Sequence, residues 1–146
     1  MPELARRTDP FPGFRFTVLR NGQPIGGFSE VGGLQLETEV FDYPEGGVND
    51  VVHKLPVRTK QTNLSLKRGL ADRILWDWHD DVVSGRVTRW DVVVLLYDQA
   101  GDTPVAQWGL HRVYPVKWVG PSLNATQNQV AIETLELVHE GLKRMG

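Results

Sequence analysis

The residue types able to do chemistry are present in this chain but do not converge. Its four histidines are His53, His79, His111 and His139. None stands three or four residues from another, and no HExxH pair occurs, so no metal site is written along the chain. No metal and no cofactor are expected. Asp77, Asp80 and Asp81 could share acid–base work if a pocket drove their pKa values apart. On the solvent side of a helix they only keep the chain soluble, and that is the expectation. Ser29, Ser65, Ser84 and Ser122 lack the GxSxG context of an activated serine. Gly26, Gly27, Gly32 and Gly33 would suit a phosphate loop only if a helix followed and aimed its amides at the anion. A strand-like segment follows instead, with no Gly-Lys-Ser/Thr. The five tryptophans could line a ligand cage, which keeps a small-ligand-binding β-barrel module as the alternative function. Tryptophans also dominate cores and subunit contacts. No set of nucleophile, base and orienting group is visible, so no catalytic residue is assigned and no enzyme is expected.

Composition narrows the class further. A chain of 146 residues is read as one domain spanning 1–146, with an irregular, proline-bearing arm over 1–13. The hydrophobic content of 40% and charged content of 23% suit a globular protein with a real core. A net charge of −2 gives no global pull toward nucleic acid or anionic lipid, and the basic residues occur in pairs at most. There are no cysteines, so thiol chemistry and disulfides are excluded. The longest apolar run, Val92–Tyr97, is far short of a membrane span. The N-terminal residues hold no apolar run of signal length, and cytoplasmic synthesis is the simplest expectation.

The chain is organised around Gly26–Pro56. Two extended arms, Leu34–Asp42 and Val51–Leu55, flank the turn-rich YPEGGVND, predicting a long protruding hairpin or loop over about 39–56. Before it, Phe14–Arg20 and Ile25–Glu30 read as strands joined at Asn21-Gly22, the strongest short hairpin signal. After it, Gln61–Lys67 reads as a strand. The period then changes: Ala71, Ile74, Leu75, Trp78 and Val82 fall on one helical stripe, predicting a helix over about 70–84 that stops at Gly85, with Asp72 near its start. Trp76 lies off that stripe and should face something else. Arg89–Asp98 reads as a strand buried on both faces, turned at 99–102, with Val105–Arg112 as hairpin partner. Val113–Val119 continues extended, with Pro115 marking an edge or bulge. Val130–His139 alternates as a strand. The expected fold is mainly β, a β-barrel or sandwich with one flanking helix. Phe14, Phe16, Ile74, Leu75, Trp78 and Trp90 are the expected core packing residues.

Three stretches carry a resemblance to a known family: FRFTVLRNGQPIGGFSEVGGLQLETEVFDYPEGG, HKLPVRTKQTNLSLKRGL with the following LWDWH, and VYPVKWVGPSLNATQNQVAIETLELVHEGL. Within them FSEVGGL, LKRGL and PVKWVGP are jointly specific. The chain resembles the tail tube proteins of contractile bacteriophages and of phage-tail-like extracellular contractile injection systems, and is similar to the type VI secretion tube protein. The resemblance implies a structural, non-enzymatic subunit. It implies hexameric rings, stacked into an inner tube with a central channel. A sheath protein and baseplate or spike hub proteins are the implied partners, with the tube-initiating ring at the baseplate as one position for this chain. Membrane insertion as a monomer and specific nucleic-acid binding are not expected, and DNA or effector cargo would occupy the channel. The hairpin then becomes an inter-ring contact. Glu39, Asp42, Tyr43, Glu45 and Asp50 are expected to meet Arg58, Lys60, Lys67 and Arg68 of a neighbouring copy.

Overall fold

The computed structural model describes residues 16–44, 52–98, 103–126 and 130–146. The expected core residue Phe14, the hairpin-tip carboxylates Glu45 and Asp50, the arm over 1–13 and the turn at 99–102 lie outside the described residues. Ten strands and one helix are formed among those described. Strands β1 (Phe16–Arg20) and β2 (Gln23–Phe28) make the predicted hairpin. Asn21 and Gly22 supply its turn with φ values of 51° and 79°, the left-handed region that these two residues tolerate best.

After β2, one residue separates it from the short β3 (Glu30–Gly32). β3 pairs with β6 (Leu64–Gly69), β6 with β9 (Ile132–Val138), and β9 with β8 (Pro104–Val119). β8 then pairs with β7 (Trp90–Tyr97), and β7 with β1. The path runs β2-β1-β7-β8-β9-β6-β3. Its two ends are therefore consecutive in the chain, and the sheet bends round until they meet at Ser29. There the Ser29 amide donates to the Lys67 carbonyl at 2.9 Å. Leucines and valines from these strands, with Phe28, Leu75 and Trp78, fill the space enclosed.

β8 unites what sequence reads as two segments. Arg112, at φ 54°, turns the corner inside a single strand of 16 residues. That strained residue is fastened on two sides. Its amide donates to Asp91 Oδ1 at 3.3 Å, and its Nε donates to Glu140 Oε2 at 2.8 Å. The register slips between Pro115 and Lys117, a bulge where a proline without an N–H is tolerated. β10 (Gly141–Arg144) pairs with β8 on its outer margin, and no alternation in EGLKRMG announces it. β7 departs from the expectation of two buried faces. Val92 and Val94 are buried on one side, and Leu95 and Tyr97 on the other, but Asp91 is exposed and Val93 half-buried.

The helix α1 (Ile74–Val83) is shorter than its sequence pattern. Asp72 Oδ1 accepts the Ile74 amide at 3.0 Å, satisfying one of the first-turn donors. At the other end Gly85 takes φ 87°. The amides of Gly85 and Arg86 then return to the carbonyls of Val82 and Asp81, a glycine-terminated helix stop. Leu75 and Trp78 are buried as expected, and Phe16 and Trp90 pack half-buried on the core. Ile74 is not a core residue. It begins the helix at its outer edge and is 36% exposed.

Candidate assembly interface

Strands β4 (Leu36–Pro44) and β5 (Val52–Gln61) form a two-stranded sheet of their own, separate from the main one. With nine residues in β4, the ribbon is about 30 Å long at the usual rise per residue. Beyond each other, neither strand makes more than marginal contact with another element. β5 extends further than its sequence pattern, through Pro56. That proline is accommodated because the register slips between Glu39 and Val40, and because the ribbon's outer margins need no N–H donor.

Two chemistries alternate along this ribbon. Near its base Glu39 stands opposite Arg58, and Glu37 opposite Lys60. Glu39 accepts from Arg58 Nε at 2.6 Å and also bridges Lys60. Those two hydrogen bonds, Lys60's first, hold the Glu39 carboxylate below its ordinary range, and Glu39 in turn holds the Lys60 ammonium above its own. Asp42 pairs with Lys54 at 3.1 Å. Towards the tip Phe41 faces Leu55 and Tyr43 faces His53. Seven large apolar side chains remain exposed on the ribbon: Leu36, Val40, Phe41, Tyr43, Val52, Leu55 and Val57. Phe41, Leu55 and Tyr43 share one face and Val40 and Val52 the other; a free two-stranded ribbon of this kind is marginal in water, and exposed apolar patches mark interaction sites.

The residues that sequence assigns to an inter-copy contact are thus arranged differently. Glu39, Arg58 and Lys60 come together within one hairpin, and Asp42 pairs there with Lys54. Tyr43 is exposed beside them. Lys67 pairs with Glu30 at 3.2 Å. Arg68 must be removed from the group, because it is 4% exposed and paired inside its own chain. Its Nε donates to Glu133 Oε1 at 2.9 Å and its Nη2 to Asp72 Oδ1 at 2.7 Å. Glu133, fully buried, also accepts from Trp118 Nε1 at 3.0 Å. This network joins β6, β8 and β9 to the start of α1, and Glu133 in its middle was not singled out from sequence. Its only signal was an acidic residue at an inward position of an alternating strand.

The tryptophans do not gather around one cavity. Trp76 and Trp118 meet edge to face, with ring centroids 4.9 Å apart, while Trp78 and Trp90 flank Arg20. Among the described residues no group of histidines and carboxylates is placed to hold a metal ion. No helix among them is long and apolar enough to cross a membrane.

Residues 12–143 match the T4-like virus tail tube protein gp19 family. The chain belongs to the tail tube protein family. Its solved relatives agree. A chain of the PVC extracellular contractile injection system, from a sheath–tube complex in the extended state, is 26% identical with a TM-score of 0.79. That match covers 94% of this chain and 93% of the other. A chain of the anti-feeding prophage baseplate is 31% identical over 94% of this chain and 96% of the other, with a TM-score of 0.76. Hcp1 from Flavobacterium johnsoniae, 12% identical at a TM-score of 0.55, covers 90% of this chain and 94% of its own; it shares the fold. No curated protein matches significantly. As a tail tube protein the chain is a structural tube subunit. Its main sheet ends on β2 and β3, and the ribbon stands apart from it as a separate two-stranded sheet.

Proposed function

We propose that this tail tube protein assembles into hexameric rings that stack into the inner tube of a contractile particle, leaving a central channel. In this reading it works with a sheath and a baseplate, and does no catalysis. The observation that carries it is the β4–β5 ribbon. A hairpin about 30 Å long, with seven large apolar side chains in water and no partner strand, is stable only when a neighbouring copy covers it. The ion pairs along its base keep it straight and in register, and a neighbour buries Phe41, Tyr43 and Leu55. Its contact with the next ring is heterologous, and a heterologous contact that does not close makes a filament.

Deleting Asp42–Asp50 tests this. The shortened chain keeps its main sheet and thermal transition but forms no stacked tubes by negative-stain electron microscopy. Full-length tubes from the deletion variant would overturn the role of the ribbon. The finer position is the first ring on the baseplate. It is supported by the 31% identity to the anti-feeding prophage baseplate chain, against 26% for the PVC sheath–tube chain. Immunogold labelling of whole particles separates the two positions. Label at one end supports the initiating ring, and label along the tube assigns the chain to the main tube.

A further inference from the structure

Beside the helix, where β1 ends, lies a cavity of about 90 Å³ lined by Arg20, Trp78, Asp81, Arg86, Thr88 and Trp90 among others. A single water needs only roughly 10–15 Å³ by the same kind of measure, so this space has room for a small anion. Its chemistry is one-sided. The Arg20 guanidinium lies 5.0 Å from the centre of the Trp78 ring and 5.8 Å from that of Trp90. Among the described residues that guanidinium makes no hydrogen bond or ion pair. Burial pulls its pKa down, and the charge of Asp81 only partly opposes this. Trp78 is 4% exposed, and its indole N–H is buried with no partner. A guanidinium can only donate, and the Thr88 hydroxyl can join it.

The one carboxylate on the wall is already engaged. Asp81 Oδ1 accepts from Arg86 Nη2 at 2.9 Å, and this pair, 54% and 68% exposed, stands at the mouth. Two guanidinium groups against one carboxylate leave one positive charge uncompensated. A planar carboxylate answers that charge, since guanidinium binds it through paired, charge-assisted hydrogen bonds.

We propose that this cavity is a binding site for a carboxylate or similar small oxyanion, held beside the Trp78 and Trp90 rings by the Arg20 guanidinium with the Thr88 hydroxyl as a further donor. The guest is either a free anion or an acidic side chain of a neighbouring copy. The second source rests on the assembly proposed above; the first does not.

The indole proton–nitrogen NMR signal of Trp78, identified by its loss in Trp78→Phe, reads the site in the intact chain. Acetate and inorganic phosphate are the probes, with Arg20→Met and Arg20→Lys as variants whose folding is checked by their thermal transitions. A saturable movement of the signal, weakened at least about tenfold in Arg20→Met and less in Arg20→Lys, establishes a free-anion site. A signal that neither probe moves in the dispersed chain, with assembly weakened at least about tenfold in Arg20→Met and less in Arg20→Lys, establishes a carboxylate supplied by another copy. A signal that neither probe moves, with assembly equal in the wild type and Arg20→Met, means that the cavity holds water only and overturns the proposal.

Discussion

Changing Phe41 to Ser separates the stability of the chain from the stability of the tube. Phe41 is 55% exposed, so the isolated fold gains little from its ring. Surface changes of this kind usually shift folding stability by less than about 0.5 kcal/mol. Fully burying a phenylalanine is worth roughly 1.5–3 kcal/mol. If a neighbour covers the exposed half, each hairpin loses about 0.8–1.6 kcal/mol of docking free energy in the variant. With six equivalent hairpins at a junction of the proposed rings, the loss is about 5–10 kcal/mol, or roughly three to seven orders of magnitude in the stacking equilibrium. The assay is paired: thermal denaturation of the dispersed chain, and tube length with critical concentration by sedimentation and electron microscopy. The expected result is an unchanged transition temperature with only single rings or unassembled chain. Tubes of normal length at the wild-type critical concentration would refute the assignment of the ribbon as the stacking element.

Two further outcomes follow from the same geometry. Glu133→Ala leaves the Arg68 guanidinium buried without its main partner and Trp118 without an acceptor. Unfolding by denaturant should show a loss of about 3–5 kcal/mol, and Arg68→Met with Glu133→Leu together should lose clearly less, because neither charge is then stranded. A pH series tests the ribbon's base. The Glu39 carboxylate is held below its ordinary range by Lys60 and Arg58, so it binds protons less readily paired than free. Its contribution is complete above the ordinary glutamate range and is lost as pH falls through and below that range. Because the pair is exposed, the folded chain should barely respond. Tube stacking should weaken with acid over that window, and Glu39→Gln should stack less well at neutral pH while flattening the dependence, measured by light scattering.

Much of this protein is written in local pattern. Asn21-Gly22 marked its hairpin because few other dipeptides accept two left-handed residues in a row. The helix showed itself through the spacing of Leu75 and Trp78, and its end through Gly85, which alone carries φ 87° without strain. The long ribbon was legible from two extended arms around a turn-rich core, and the family from three stretches spread over nearly the whole chain. Other features depend on atoms far apart in sequence. Ile74 shared the helical stripe yet faces water, since where the helix begins is settled by Asp72 and by the sheet beneath it. Arg68 looked like one more surface cation until its strand faced Glu133, 65 residues away, inside the core. Arg20, Trp78 and Thr88 come from three separate segments and share a cavity because β1 pairs with β7 and the helix lies beside them. Periodicity along one strand or helix reports which way a side chain faces; what it then meets is set by elements brought alongside, and that information exists only in the folded chain.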